Sequence, residues 1–149
     1  MNLGDKKRLL IENLGEEGYL RNRRVIDAIM EVPRELFVRP EDKEFAYSDQ
    51  PLHIGYGQTI SAPHMVAIMT ELLDPERGDV VLEIGTGSGY QAAVLARLVK
   101  KVYSIEVVPE LVKIARRNLA RAGIRNVDVI PVSYTHLRAH ETSLHLVCR

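Results

Sequence analysis

What this sequence lacks narrows it first. Among its 149 residues there is one cysteine, Cys148, so no disulfide can close within the chain, which fits a reducing compartment. Neither sign of charge is in excess. Twenty basic residues stand against twenty acidic ones, so net charge gives no pull toward nucleic acid or an anionic membrane. No apolar run approaches the ~20 residues of a membrane-spanning helix, and the opening MNLGDKKRLLIENL is too charged for a signal-peptide core. Internal repeats and low-complexity linkers are also missing. These absences lead us to expect a cytoplasmic globular domain with no nucleic-acid or membrane partner. Hydrophobic residues, at 46%, suffice for one core.

What is present divides into three parts. Residues 1–78 open with two amphipathic stretches. DKKRLLIENL carries Leu9, Leu10 and Leu14 at helical spacing, and NRRVIDAIMEV carries Val25, Ile26, Ile29 and Val32 and is closed by Pro33. Periodicity then disappears through PRELFVRPEDKEFAYSDQPLHIGYGQTISAP, a connection long enough to suggest function. The helical pattern HMVAIMTELL follows and stops at Asp74-Pro75. In residues 79–131 short apolar strands alternate with amphipathic helices: strand 80–84, helix 90–99, strand 102–105, helix 110–122, strand 127–130, with Gly123 placed to end the second helix. That alternation implies βαβ units and a parallel sheet, an α/β Rossmann-like fold. Residues 132–149 form the third part.

The first strand runs into EIGTGSGY. Gly85, Gly87 and Gly89 suit a sharp strand-to-helix turn that brings backbone N–H groups against a ligand at a helix N-terminus. The dinucleotide fingerprint would need glycine at position 90, which is Tyr90. Glu106, about 20 residues downstream at the next strand end, is spaced like a ribose-binding carboxylate. The alternative is a tight turn only, with Glu83 and Glu106 as charged strand ends.

The E-x-G-x-G-x-G form resembles the first motif of S-adenosylmethionine-dependent methyltransferases. With VPRELFV, AYSDQPLHIGYGQTISAPHMVAIM and VLEIGTGSGYQAAVLA, the chain resembles the protein-L-isoaspartate O-methyltransferase family over nearly all of residues 1–131. GQTISAPHM is the part that separates this family from other methyltransferases. His53 departs from it, since the family commonly has proline there.

The resemblance implies S-adenosyl-L-methionine as cofactor and isoaspartyl-containing proteins as substrate. The methyl group would pass to the α-carboxylate, and the ester would let the backbone nitrogen close a succinimide that hydrolyses partly to aspartate. It implies Ser61 as the catalytic residue, with Ser61 and His64 meeting substrate. Thr59, Ile60, Glu83, Gly85, Gly87, Ser88, Gly89 and Glu106 would hold the cofactor, Glu83 at its methionine end. Ser61 also suits a helix N-cap and His64 a plain first-turn residue. The same cofactor loop would serve a methyltransferase with another acceptor, or a non-catalytic nucleotide-binding domain.

After VDVIP the family pattern would continue into a glycine–aspartate–glycine turn, but the chain has Val132-Ser133-Tyr134. VSYTHLRAHET resembles, codon by codon, the translation of a transposon-based sequencing adapter, and HLVCR resembles its continuation. His136 and His140 would share a helix face, and His145 and Cys148 lie nearby, so a natural tail or a metal site are the rival readings. The adapter match favours 132–149 as a non-native tail, with no metal expected. On that reading the sheet stops after its third strand where the family has about seven. We then expect a free sheet edge, an exposed apolar face, and a polypeptide that is poorly stable and inactive alone.

Overall fold

The computed structural model describes residues 1–133, so the tail beyond Ser133, with His136, His140, His145 and Cys148, lies outside the described residues. Among the described residues no group of three or more His, Cys, Asp or Glu side chains could hold a metal ion. None of their helices is long and apolar enough to cross a membrane.

Helix α1 (Leu3–Glu16) starts at a reciprocal cap. The Asn2 side chain accepts the Asp5 N–H at 2.8 Å, and the Asp5 carboxylate accepts the Asn2 N–H at 3.3 Å. Its buried stripe is Leu10, Ile11 and Leu14, whereas Leu9, expected inside, is 45% exposed. The i, i+4 pair Leu10–Leu14 sets the buried face, and Leu9 falls one step off it. Helix α2 (Arg23–Glu31) is capped by Asn22 and buries Val25, Ala28 and Ile29.

Residues 33–62 are more regular than their sequence suggests. Two 3₁₀ turns (Arg34–Leu36 and Pro40–Phe45) lead into a hairpin of β1 (Leu52–Gly55) and β2 (Gln58–Ile60). Strands of four and three residues are too short to show an alternating pattern. The register pairs Gly55 with Gln58, so Tyr56 and Gly57 alone make the turn, at φ 56° and 70°. Two consecutive positive φ angles are the type I′ arrangement that matches strand twist. Helix α3 (Pro63–Leu73) follows and ends on Asp74 at φ 46°, just before Pro75.

The remaining elements are β3 (Val80–Ile84), α4 (Tyr90–Ala96), β4 (Lys101–Glu106), α5 (Pro109–Arg121) and β5 (Val127–Pro131). The three strands are parallel in the order β3-β4-β5, as the alternation implied. Helix α4 is shorter than expected because its C-terminal turn tightens. Arg97 N–H reaches Val94 O at 3.2 Å and Leu98 N–H reaches Leu95 O at 2.9 Å, turning the chain early toward β4. Helix α5 ends in a Schellman motif, Ile124 N–H to Leu119 O and Gly123 N–H to Ala120 O.

Helices α4 and α5 contact β4 and β5. Val81, Val102 and Val129 on the strands and Ala92, Ala93, Leu111, Ala115 and Leu119 on the helices belong to one buried core. Helix α2 packs on α4 and joins the N-terminal region to that core. Among the described residues β3 pairs on one side only, and Val80 (60% exposed), Tyr103 and Ile130 leave part of the sheet uncovered.

Gly89, the N-cap of α4, sits at φ 94°, and a Cβ there would lie 3.4 Å from both Ala115 Cβ and Leu119 Cγ of α5. Gly85 has a similar φ of 90° with nothing within 4 Å of the corresponding position. Gly85→Ala is therefore expected to cost backbone strain alone, about 1–2 kcal/mol, and Gly89→Ala clearly more, in urea unfolding. Equal losses would show that the α5 contact contributes nothing.

Candidate functional site

The turn from β3 to α4 is pinned from beneath and from the side. Gly85 and Thr86 donate their N–H groups to Ile105 O at 2.9 and 3.2 Å, so the loop is tied to the end of β4. The Gly87 N–H donates to Glu106 Oε1 at 2.8 Å. The other oxygen of that carboxylate accepts the N–H groups of Val107 (2.9 Å) and Val108 (3.0 Å) as the chain enters α5. Glu106 is buried, so it is not a solvated strand end. It clamps the glycine loop to the start of the next helix through three charge-assisted bonds.

Glu83 lies one residue inside the end of β3, also buried. Its carboxylate accepts the Ser104 hydroxyl at 2.6 Å, and Ser104 Oγ in turn meets Thr86 Oγ1 at 2.6 Å. The chain Glu83–Ser104–Thr86 thus runs under the loop. Burial pushes the Glu83 carboxyl up to about 7, helped by the nearby Glu106 charge and opposed by the Ser104 hydrogen bond. Ser88 is buried, and its carbonyl accepts Asn118 Nδ2 from α5 at 3.0 Å. Ile54 of the hairpin approaches the loop from above, 3.7 Å from where a Gly87 Cβ would be.

The second group of residues sits where β2 passes into α3. Thr59 is exposed opposite His53, and Ile60 is buried opposite Leu52. Ser61 is exposed, and it is not the N-cap of α3. Ala62 holds that position, without a side-chain cap. The N–H of His64, without an intrahelical acceptor because it lies in the first turn of α3, is satisfied by Asp49 Oδ1 at 2.8 Å. The same oxygen meets His64 Nδ1 at 2.9 Å, and the Tyr19 ring lies 5.7 Å from the imidazole. Asp49 therefore caps the helix and orients His64, leaving the Ser61 hydroxyl without a partner among the described residues.

Arg34 joins the two groups, and nothing in the sequence singled it out. It is fully buried. Its Nε donates to Ala46 O at 2.7 Å and its Nη2 to Ser61 O at 2.9 Å, while the guanidinium lies 4.9 Å from the ring centre of Tyr90. Tyr90 directly follows Gly89, so one side chain touches both the Ser61 loop and the helix opened by the glycine turn. Helices α3 and α4 are further tied by Gln91 Nε2 to Thr70 Oγ1 at 3.0 Å. Tyr47 supports Arg34 by accepting its backbone N–H at 3.0 Å while donating its hydroxyl to Glu35. The roles of Tyr47, Asp49, Ser104 and Asn118 were equally hidden in the sequence, since their partners lie 12 to 30 residues away.

The chain is similar to known proteins over most of its length. Residues 5–133 match the family model described as protein-L-isoaspartate(D-aspartate) O-methyltransferase. A protein-L-isoaspartate O-methyltransferase of Staphylothermus marinus is 55% identical over 135 residues, covering 85% of this chain and 60% of that protein. One from Ignicoccus hospitalis is 57% identical over 129 residues, covering 85% of this chain and 61% of that protein. The chain thus spans about 60% of the length of these relatives. Among solved structures, a Plasmodium falciparum protein described as a protein-L-isoaspartate O-methyltransferase, in complex with S-adenosyl-L-homocysteine, superposes with a TM-score of 0.77 at 27% identity, covering 93% of this chain and 68% of that one. By the match over residues 5–133 and by these relatives, the chain belongs to the protein-L-isoaspartate(D-aspartate) O-methyltransferase family.

Proposed function

We propose that residues 1–133 form the cofactor-binding half and substrate loop of an enzyme that methylates the α-carboxylate of L-isoaspartyl residues in damaged proteins, with S-adenosyl-L-methionine as methyl donor. The observation that carries this reading is the bridge by Arg34 between the Ser61 loop and the helix opened by the glycine turn.

The residues present suit such a cofactor. Gly85, with nothing within 4 Å of its missing side chain, leaves the loop backbone open to close approach. Two buried carboxylates, Glu83 and Glu106, border it and suit a ligand with a cationic end and ribose hydroxyls. Thr59, Ile60, Glu83, Gly85, Gly87, Ser88, Gly89 and Glu106 are the residues assigned to hold it. When bound, S-adenosyl-L-methionine supplies a methyl group on a sulfonium centre. A substrate carboxylate is ionised near neutral pH, so the protein needs no strong base and contributes mainly orientation. The exposed Ser61 hydroxyl is assigned to donate to that carboxylate, with His64, fixed by Asp49, beside it.

The test compares methyl transfer to an isoaspartyl peptide and to its aspartyl twin, using this chain and a version extended to the length of its relatives. Transfer to the isoaspartyl peptide alone by the longer version supports the reading; transfer to both peptides, or to neither, overturns it. The 149-residue chain is expected not to turn over, because the uncovered sheet leaves its site poorly held. In the longer version Ser61→Ala is expected to lower kcat about tenfold to a hundredfold, the range for loss of one oriented donor, with little change in S-adenosyl-L-homocysteine affinity.

A further inference from the structure

A groove of about 290 Å³ runs between α5 and the two 3₁₀ turns, outside the residues assigned to the chemistry apart from its inner end. That end is made by Ser88 of the glycine loop and Ile54 of the hairpin. One wall carries Arg117 and Arg121, an i, i+4 pair on a single face of α5, and the other carries Lys43. All three are exposed, and their side chains have no hydrogen bond or ion pair among the described residues. A fourth cation, Arg39, is already matched by Asp42 at 2.9 Å and Glu41 at 3.8 Å. Among the described residues Glu35 is the one acidic residue lining the groove, and its carboxylate takes the Tyr47 hydroxyl. In a chain of zero net charge, three unmatched cations therefore converge on one concave surface.

We infer that this groove receives an acidic, extended segment of the protein substrate, flanking the isoaspartyl residue on one side. This rests on the function proposed above and adds to it a preference for substrate context. Charge complementarity supplies the attraction, and continuity with the glycine loop at Ser88 and Ile54 places the segment beside the site. A single-stranded nucleic acid suits the groove less well. Such sites present aromatic platforms for base stacking, and the only aromatic residue lining this groove among the described residues, Phe37, is 1% exposed.

The test uses fluorescently labelled peptides and the version extended to the length of its relatives, with S-adenosyl-L-homocysteine present, read by anisotropy. An isoaspartyl peptide with a run of glutamates on one side is compared with a neutral-flank version at ~0.05 M and ~0.5 M salt, conditions that change screening strongly. The acidic flank is expected to bind about tenfold tighter at low salt, with most of the difference lost at high salt. Arg117→Glu with Arg121→Glu should abolish the preference, and Lys43→Glu, on the opposite wall, should weaken it independently of any effect of the double variant on α5. Equal binding of the two flanks, or a preference that survives both variants, overturns the proposal. Displacement of the acidic peptide by a single-stranded oligonucleotide more readily than by the unlabelled peptide overturns it in favour of nucleic acid. The neutral isoaspartyl peptide against its aspartyl twin reports on the enzymatic reading, whereas acidic against neutral flank reports on the groove, so the two failures are distinguishable.

Discussion

Arg34→Met is expected to lower stability by about 3 kcal/mol in urea unfolding, one of the two largest effects we anticipate. Methionine has similar bulk, so the cost is not mainly a cavity. What is lost is a charged donor shared by two backbone carbonyls, Ala46 O and Ser61 O, together with the contact to the Tyr90 ring. Opposing this, methionine escapes the desolvation that lowers the Arg34 pKa and removes the buried Nη1, which has no hydrogen-bond partner. Among the described residues no carboxylate makes an ion pair with this guanidinium, so its removal strands no opposite charge and the loss stays at the lower end of the range for a broken buried ion pair. Arg34→Lys keeps the charge but not the planar fork that reaches both carbonyls, and should fall between wild type and Arg34→Met. A neutral or stabilising Arg34→Met would mean that desolvation outweighs the hydrogen bonds and that Arg34 serves geometry alone. Faster amide exchange around Ser61 would then be the remaining expected sign.

The second large effect is the dependence of stability on pH set by Glu83. Its carboxyl is raised from an ordinary value near 4.5 to about 7 in the folded protein, chiefly by burial. Between those values the folded state holds a proton that the unfolded state has released, so stability falls as pH rises through the window. The full stabilisation is present below the unfolded value and is lost above the folded one, amounting to about 3 kcal/mol as an upper figure. Glu83→Gln can still accept the Ser104 hydroxyl but carries no charge. It should flatten this part of the pH profile and make the protein more stable than wild type at pH ~8. Affinity for S-adenosyl-L-homocysteine should move the other way, falling about tenfold through loss of a charged partner. Urea titrations on either side of the window and calorimetric binding check the two halves separately. A wild-type profile flat between pH ~5 and ~8 would contradict the assigned burial of the ionised form.

These two residues mark different limits of what sequence can say. Glu83 stood out because of its place before the glycine turn, yet the sequence does not show that its carboxylate is enclosed with Ser104 and Thr86. That enclosure depends on the pairing of β3 with β4, which sets Glu83 opposite Ser104. Arg34 lies in VPRELFV, one of the stretches that carry the resemblance, but nothing in its local pattern shows that its side chain is buried and spans two loops.

The sequence alone determined the parallel βαβ order, the glycine turn, the Ser61 loop motif and most helix limits. The loop motif came from the family resemblance; the others depend on a repeat of the backbone or on turn chemistry within a few residues. Tertiary structure decided which carboxylates are buried, that Asp49 rather than Ser61 caps α3, that Arg34 ties the two halves of the site, and that Lys43, Arg117 and Arg121 face one groove. Those outcomes join residues far apart in the chain, and burial, charge and hydrogen bonding there depend on packing that no local pattern encodes.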